Sequence, residues 1–313
     1  MEQLPVLPSA YRIAPDVAHA RSLGSPIVAL ESTVITHGLP YPENLNAAQD
    51  MENVLRQGGV TPATIAVLEG SLHVGVNQLQ LERLVSDRGA MKIGPRDFAL
   101  AIARGRSGGT TVAGTLVAAR AVGIQVFATG GIGGVHHLPE HDVSADLLEL
   151  SRSPLVVVCA GAKAILNIAA TLEVLETYGV PVVGYQTDIF PAFYAQSSGL
   201  PVSARVDSAE EAAQLARANW DLGLHSAVLV AVPPPQDVAL SPHVLRDAIE
   251  RALEEAQENE IRGQAVTPFL LKRLRELTGG ASLRANLGLL RNNARVAGEI
   301  AQYLNRDRRL RRV

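Results

Sequence analysis

The sequence predicts an α/β fold: a mainly parallel central sheet covered by helices on both faces (α/β/α), with the C-terminal helices packed on the same domain. Three observations lead there. Short runs rich in Val, Ile and Ala alternate with longer stretches of helical period. The short runs are apolar at nearly every position, as in TIAVL (64–68) and LVVVC (155–159), the pattern of strands buried on both faces. The chain has 313 residues, 47% of them hydrophobic, enough for one large core. A single domain over 1–313 is therefore expected, with its core from about residue 12 to about 304 and a flexible basic tail over 305–313.

Taken in order, residues 26–30 (PIVAL) read as a strand ending at Glu31. Residues 42–56 read as a helix with Pro42 in its first turn, where the missing N–H would have no intrahelical partner anyway. A strand follows over 64–68. A short helix is expected over 95–104, and another over 113–121 after the small-residue run Gly108-Gly109-Thr110-Thr111. Residues 124–129 read as a strand, closed by the cluster Gly130-Gly131-Ile132-Gly133-Gly134. Then come a helix over 142–151, a strand over 155–159, a helix over 164–178 and a strand over 182–185. Residues 209–222 are helical in pattern and 227–232 strand-like. After PPPQ at 233–236, residues 242–305 carry helical period, broken at Gly263 and Gly279-Gly280, with Ser282 as the expected N-cap of the last helix.

Composition excludes several classes. Net charge is −3, so no general affinity for nucleic acid or an anionic membrane is expected. No apolar run reaches the ~18 residues that span a bilayer. The first residues lack a basic stretch followed by an apolar one, so a cytoplasmic location is expected. The single cysteine, Cys159, lies in a buried-strand pattern and reads as packing. Only three of the 28 basic residues are lysines, Lys92, Lys163 and Lys272. Each is a candidate for work that arginine, always protonated, cannot do.

Open α/β sheets bind ligands at the carboxyl ends of their strands. Three features occupy that position: Glu31 after PIVAL, the glycine cluster after IQVFAT, and Lys163 after LVVVCAGA. Lys163 is flanked by small and apolar residues, a setting in which an amine can be neutral and attack a carbonyl. The same lysine could equally extend to water from a helix start. The glycine cluster allows close approach to an anion but is no dinucleotide fingerprint, since His136 stands where the last glycine would be. Thr110, Thr111 and Thr115 offer hydroxyls at a helix start, which suits phosphate. Asp142 and Asp146, near His136, His137 and His141, could hold Mg²⁺ or Mn²⁺. Alternatively they are helix N-terminal carboxylates stabilised by the helix dipole, with no metal.

Longer motifs carry a resemblance. The run Leu30-Glu31-Ser-Thr-Val-Ile-Thr-His37-Gly38, then Tyr41-Pro-Glu-Asn, is similar to the opening of the pseudouridine-5′-phosphate glycosidases, the indigoidine synthase A-like family. So are Thr129-Gly-Gly-Ile-Gly-Gly-Val-His136, Asp142-Val-Ser-Ala-Asp146-Leu, Cys159-Ala-Gly-Ala-Lys163, Thr267-Pro-Phe-Leu, Ala285-Asn286-Leu and Asn292-Asn293-Ala-Arg. The resemblance implies reversible cleavage of pseudouridine 5′-phosphate by water to uracil and ribose 5-phosphate. It implies Lys163 as the nucleophile forming a Schiff base at ribose C1′ and Glu31 as proton donor. It implies Asp142 as ligand to one Mn²⁺ ion per subunit, and a homotrimer. Substrate contacts carried over are Lys92, Val112, Ser144, Ala145, Asp146 and Asn286, with Thr111 and His136 beside them. One departure is visible: the family usually has Arg after Val-His, and here His137 stands there.

The chemistry explains why such residues are needed. The bond is C–C, and the base carbon has no lone pair to protonate, so paired carboxylates alone are a poor solution. An imine to opened ribose supplies an electron sink. Two other readings share Lys163: a Schiff-base aldolase or lyase acting on sugar phosphates, and a non-catalytic sugar-phosphate-binding protein.

Overall fold

The computed structural model describes residues 7–137, 142–261 and 266–310. In the N-terminal half the elements are β1 (Tyr11–Ile13), α1 (Pro15–Leu23), β2 (Ile27–Leu30), a π-helical turn (Val34–Gly38), α2 (Glu43–Gln57), β3 (Thr61–Leu68), β4 (Ser71–Val74) and α3 (Gln78–Ser86). There follow β5 (Met91–Ile93), α4 (Phe98–Ala103), β6 (Gly108–Thr110), α5 (Val112–Ala121), β7 (Val126–Ala128), β8 (Val135–His136) and α6 (Ala145–Leu150). The second half contains β9 (Val156–Cys159), β10 (Leu166–Asn167), α7 (Ile168–Thr177), β11 (Val182–Tyr185), β12 (Ala204–Val206), α8 (Ala209–Asp221) and β13 (Val228–Ala231). Three helices close the chain: α9 (Pro242–Glu258), α10 (Val266–Leu277) and α11 (Ala281–Leu310).

Eleven strands form one sheet in the order β1-β4-β3-β2-β7-β9-β13-β11-β12, with β6 pairing β3 and β5 pairing β6. From β3 to β12 along this order every neighbouring pair is parallel; β4 and β6 run antiparallel to β3. Parallel strands need crossovers, and crossovers are right-handed. The step β2-α2-β3 moves one way along the sheet, and so does β12-α8-β13. The steps β7-α6-β9 and β9-α7-β11 move the other way. Handedness therefore sets α2 and α8 on one face and α6 and α7 on the other. Packing agrees: α11 lies over β2, β7 and β9 between α2 and α8, while α5 packs on α6. The expected α/β/α layering with C-terminal helices on the same core is the observed one.

The core sits where the sheet is sandwiched. All four residues of β9 and all four of β13 are buried. Leu289, Leu290, Ala294 and Ala297 of α11 are at most 1% exposed above them. Burial of a leucine side chain of this kind stabilises by roughly 1.5–3 kcal/mol. Among the described residues no helix is long and apolar enough to cross a membrane.

Three sequence expectations are corrected. The helix expected from residue 142 begins at Ala145, because the preceding segment pairs with the strand before it: His136 N–H donates to the Asp142 carbonyl and Ser144 N–H to that of Gly134. The helix expected from residue 164 begins at Ile168, because Lys163 N–H donates to the Ile132 carbonyl and Leu166 pairs with His136. Ser282 is not an N-cap but the second residue of α11, where its N–H and hydroxyl both meet Thr278 Oγ1. The last helix also runs on to Leu310, so the basic residues from Arg306 to Arg309 belong to it. Residues 262–265, with the expected break at Gly263, and His141 lie outside the described residues.

Candidate active site

The strand order reverses direction between β2 and β7, which makes the carboxyl ends of these strands the topological switch point. Glu31 follows β2 and Thr129 follows β7. The two meet: Thr129 Oγ1 donates a short hydrogen bond to Glu31 Oε1. Beyond β7 the glycine cluster continues alongside the chain that leaves β9. Ala160 N–H donates to the Gly130 carbonyl, Ile132 N–H to that of Gly161, and Lys163 N–H to that of Ile132. This extension of the sheet carries Lys163 to the same end as Glu31.

Close packing explains the glycines here. A Cβ on Gly131 would come within 2.6 Å of the Phe193 ring, and one on Gly133 within 2.3 Å of Ser144 Oγ. From above, α11 adds two asparagines seven residues apart on one face. Asn293 Nδ2 donates to the Thr129 carbonyl at 2.8 Å. Asn286 lines the cavity, and its Oδ1 is buried without a partner among the described residues. An unpartnered buried acceptor in a cavity awaits a donor.

The cavity is bounded by Glu31, Lys92, Lys163, Asn286, Phe193 and His37, with the glycine loop as floor and Thr267, Pro268 and Leu271 of α10 as roof. Its empty volume, counting the open mouth, is about 510 Å³. A wider polar cleft opens elsewhere, near Arg12, Glu52 and His73, but contains none of the strand-end residues. Chemistry therefore places the site in the smaller cavity.

Burial raises the Glu31 carboxyl above the usual range, opposed by the positive charge of Lys163 and the Thr129 hydrogen bond. Burial lowers Lys92, and the Lys163 charge lowers it further, against the pull of Asp146, Glu31 and Asp142. His37 is lowered by burial and by Lys92. His136 is lowered by burial, with Asp142 opposing. A carboxyl pushed up is suited to hold a proton and give it in a reaction.

The remaining expected residues gather beside the cavity at the starts of α5 and α6. Thr111 caps α5 by accepting from Gly114 N–H, and Ser144 caps α6 by accepting from Asp146 N–H. Asp146 is 5% exposed, and both its oxygens are used: Oδ1 accepts from Ala113 N–H and Oδ2 from Gly133 N–H. It ties helix α5 to the glycine loop. Val112, at the first position of α5, is 1% exposed. Ala145 is exposed at the first turn of α6. Asp142 has a carboxylate 37% exposed, 4.0 Å from His136 Nε2. Among the described residues no group of three His, Cys, Asp or Glu is arranged to hold a metal. A single accessible carboxylate fits a water-rich Mg²⁺ or Mn²⁺ but not a closed zinc site.

Sequence reasoning missed His37, Thr33 and Phe193. Thr33 and His37 line the cavity from the two ends of the π-helical turn, a deviation common at functional sites that has no sequence signal. Phe193 adopts φ +60°, costly for a bulky residue, and its N–H is anchored on the Ala160 carbonyl.

Residues 16–303 match the family model described as indigoidine synthase A like protein. This chain belongs to that family. Among family members, a pseudouridine-5′-phosphate glycosidase of Herpetosiphon aurantiacus is 52% identical over 93% of this chain and 97% of its own. One of Roseobacter denitrificans is 50% identical over 99% of both chains. A solved indigoidine synthase A-like protein from Thermotoga maritima superposes with a TM-score of 0.87 at 37% identity, covering 97% of this chain and all of the other. The prealnumycin C-glycosynthase AlnA, solved in complex with ribulose 5-phosphate, gives a TM-score of 0.90 at 39% identity with the same coverage.

Proposed function

We propose that this chain is a pseudouridine-5′-phosphate glycosidase. The observation that carries the reading is the convergence of Lys163 and Glu31 on one cavity at the sheet's switch point, with Lys92 beside them. Relatives of that name at about 50% identity support it.

The residues divide the reaction as follows. Lys163 Nζ adds at ribose C1′ as the ring oxygen departs and takes a proton from Glu31. The attached nitrogen then loses a proton to the Glu31 carboxylate, which restores its lone pair, and Glu31 passes that proton to uracil C5. The C1′–C5 pair returns to the base ring, and the nitrogen lone pair forms the C1′=N double bond. Water hydrolyses this imine to ribose 5-phosphate and the free amine. Glu31, raised by burial, is suited to hold the proton it must give. Lys92 and the Val112 N–H at the start of α5 suit the phosphate, and Asn286 Oδ1 suits an N–H of the base. One Mn²⁺ per subunit would be held by Asp142 and would supply positive charge that orients the substrate. A cytoplasmic homotrimer completes the proposal. A C-glycoside enzyme with another carbon acceptor is the second reading, favoured by the likeness to the C-glycosynthase.

The test is borohydride reduction in the presence of ribose 5-phosphate. The expected result is a stable adduct mapped to Lys163 and absent from Lys163→Arg, since guanidinium forms no imine. Wild type without an adduct would remove the Schiff base.

A further inference from the structure

The third lysine, Lys272, is exposed and stands beside the active-site cavity. A second, more open cleft of about 640 Å³ adjoins the active-site cavity and shares His37, Gly38, Pro268, Leu271 and Asn286 with it. Lys272 and Arg275 line its α10 wall, three residues apart and so on one helix face. Neither is in an ion pair among the described residues. Arg273 on the same helix differs, being paired with both Glu255 and Glu276. Among the described residues no acidic side chain lines the cleft. In a chain of net charge −3, the cleft therefore carries two cationic side chains that are in no ion pair among the described residues. Clefts with low-dielectric walls focus the field of such charges toward their interior.

We propose that Lys272 and Arg275 form an anion-capture vestibule that draws the phosphate-bearing substrate to the cavity mouth. The proposal rests on the phosphosugar reading of the site. A phosphate monoester carries about −1.5 to −2 charge at neutral pH, so both cations attract it before it reaches Lys92 and Lys163. The two lining sets overlap at Pro268, Leu271 and Asn286, which places the vestibule directly against the chemistry. Uracil is neutral and gains nothing from the field.

The experiment compares wild type with Lys272→Gln/Arg275→Gln in the condensation of uracil with ribose 5-phosphate. At low ionic strength, KM for ribose 5-phosphate should rise about tenfold in the variant, from two screened charge pairs per phosphate. KM for uracil should not move, and the difference between proteins should vanish at about 1 M salt, where the Debye length is about 3 Å. Lys272→Glu alone should raise KM for ribose 5-phosphate further than Lys272→Gln. Equal KM values for ribose 5-phosphate at low salt, or a rise that salt does not abolish, overturn the vestibule. Should wild type catalyse no condensation, the proposed function falls. The vestibule is then judged by calorimetric titration of both proteins with ribose 5-phosphate, where equal affinity at low salt overturns it.

Discussion

Replacing Thr129 by valine removes one hydroxyl and nearly nothing else. Thr129 is 1% exposed, and its Oγ1 donates to Glu31. Valine keeps the shape and takes away the donor. A hydrogen bond to a charged group contributes about 1.5–3 kcal/mol, equivalent to about one to two pH units on its partner. Burial already raises Glu31 above its unfolded value, and the Thr129 bond restrains that rise. A carboxyl whose folded pKa is raised contributes stability that is fully present below the unfolded value, about 4.3, and is lost as pH rises through the folded value. In Thr129→Val the folded value climbs further. The stability deficit against wild type should therefore open as Glu31 ionises in the folded wild-type protein and reach about 1.5–3 kcal/mol once it has ionised in the variant as well. Urea unfolding across about pH 4–9 measures it. In the same variant, the limb of the pH–rate profile that falls as Glu31 loses its proton should move to higher pH. Parallel stability curves and an unmoved limb would refute the coupling between Thr129 and Glu31.

Other perturbations act on the supports of the site. Gly131→Ala sets a methyl 2.6 Å from the Phe193 ring and 2.9 Å from the Gly161 carbonyl, so the ring must leave its place. About 1–3 kcal/mol of stability should be lost in denaturant titration, with a larger fall in activity. Asn293→Ala leaves the Thr129 carbonyl without its 2.8 Å donor in a buried setting, at a cost of about 1–3 kcal/mol by thermal unfolding. For the metal, chelation should lower activity in wild type and change little in Asp142→Asn; equal losses in both would remove Asp142 as its ligand.

Much of this site was legible because strand ends are. Glu31, the glycine cluster and Lys163 each follow a largely apolar run, and parallel topology carries all three to one end of the sheet. Asn286 needed the long motifs, since a lone asparagine on a helix has no signature. What sequence could not show was the division of labour between two aspartates four apart. Asp146 is buried and saturated by two main-chain donors, while Asp142 is open to solvent, because the chain between them leaves an extended segment before α6 begins. The helix starts were misplaced for the same reason: pairing between the loops after β7 and β9 overrides the local helical pattern. The place of Lys272 beside the cavity depends on how α10 packs against α9, α11 and the π-helical turn, which no periodicity specifies.

The central claim is that Lys163 joins and parts a ribose carbon and a base carbon. Incubation of the protein with uracil and ribose 5-phosphate, read by mass and proton resonance, tests it most directly. The account predicts pseudouridine 5′-phosphate from wild type and none from Lys163→Ala. Product from Lys163→Ala at the wild-type rate, or no product from a wild type that binds ribose 5-phosphate, would contradict it.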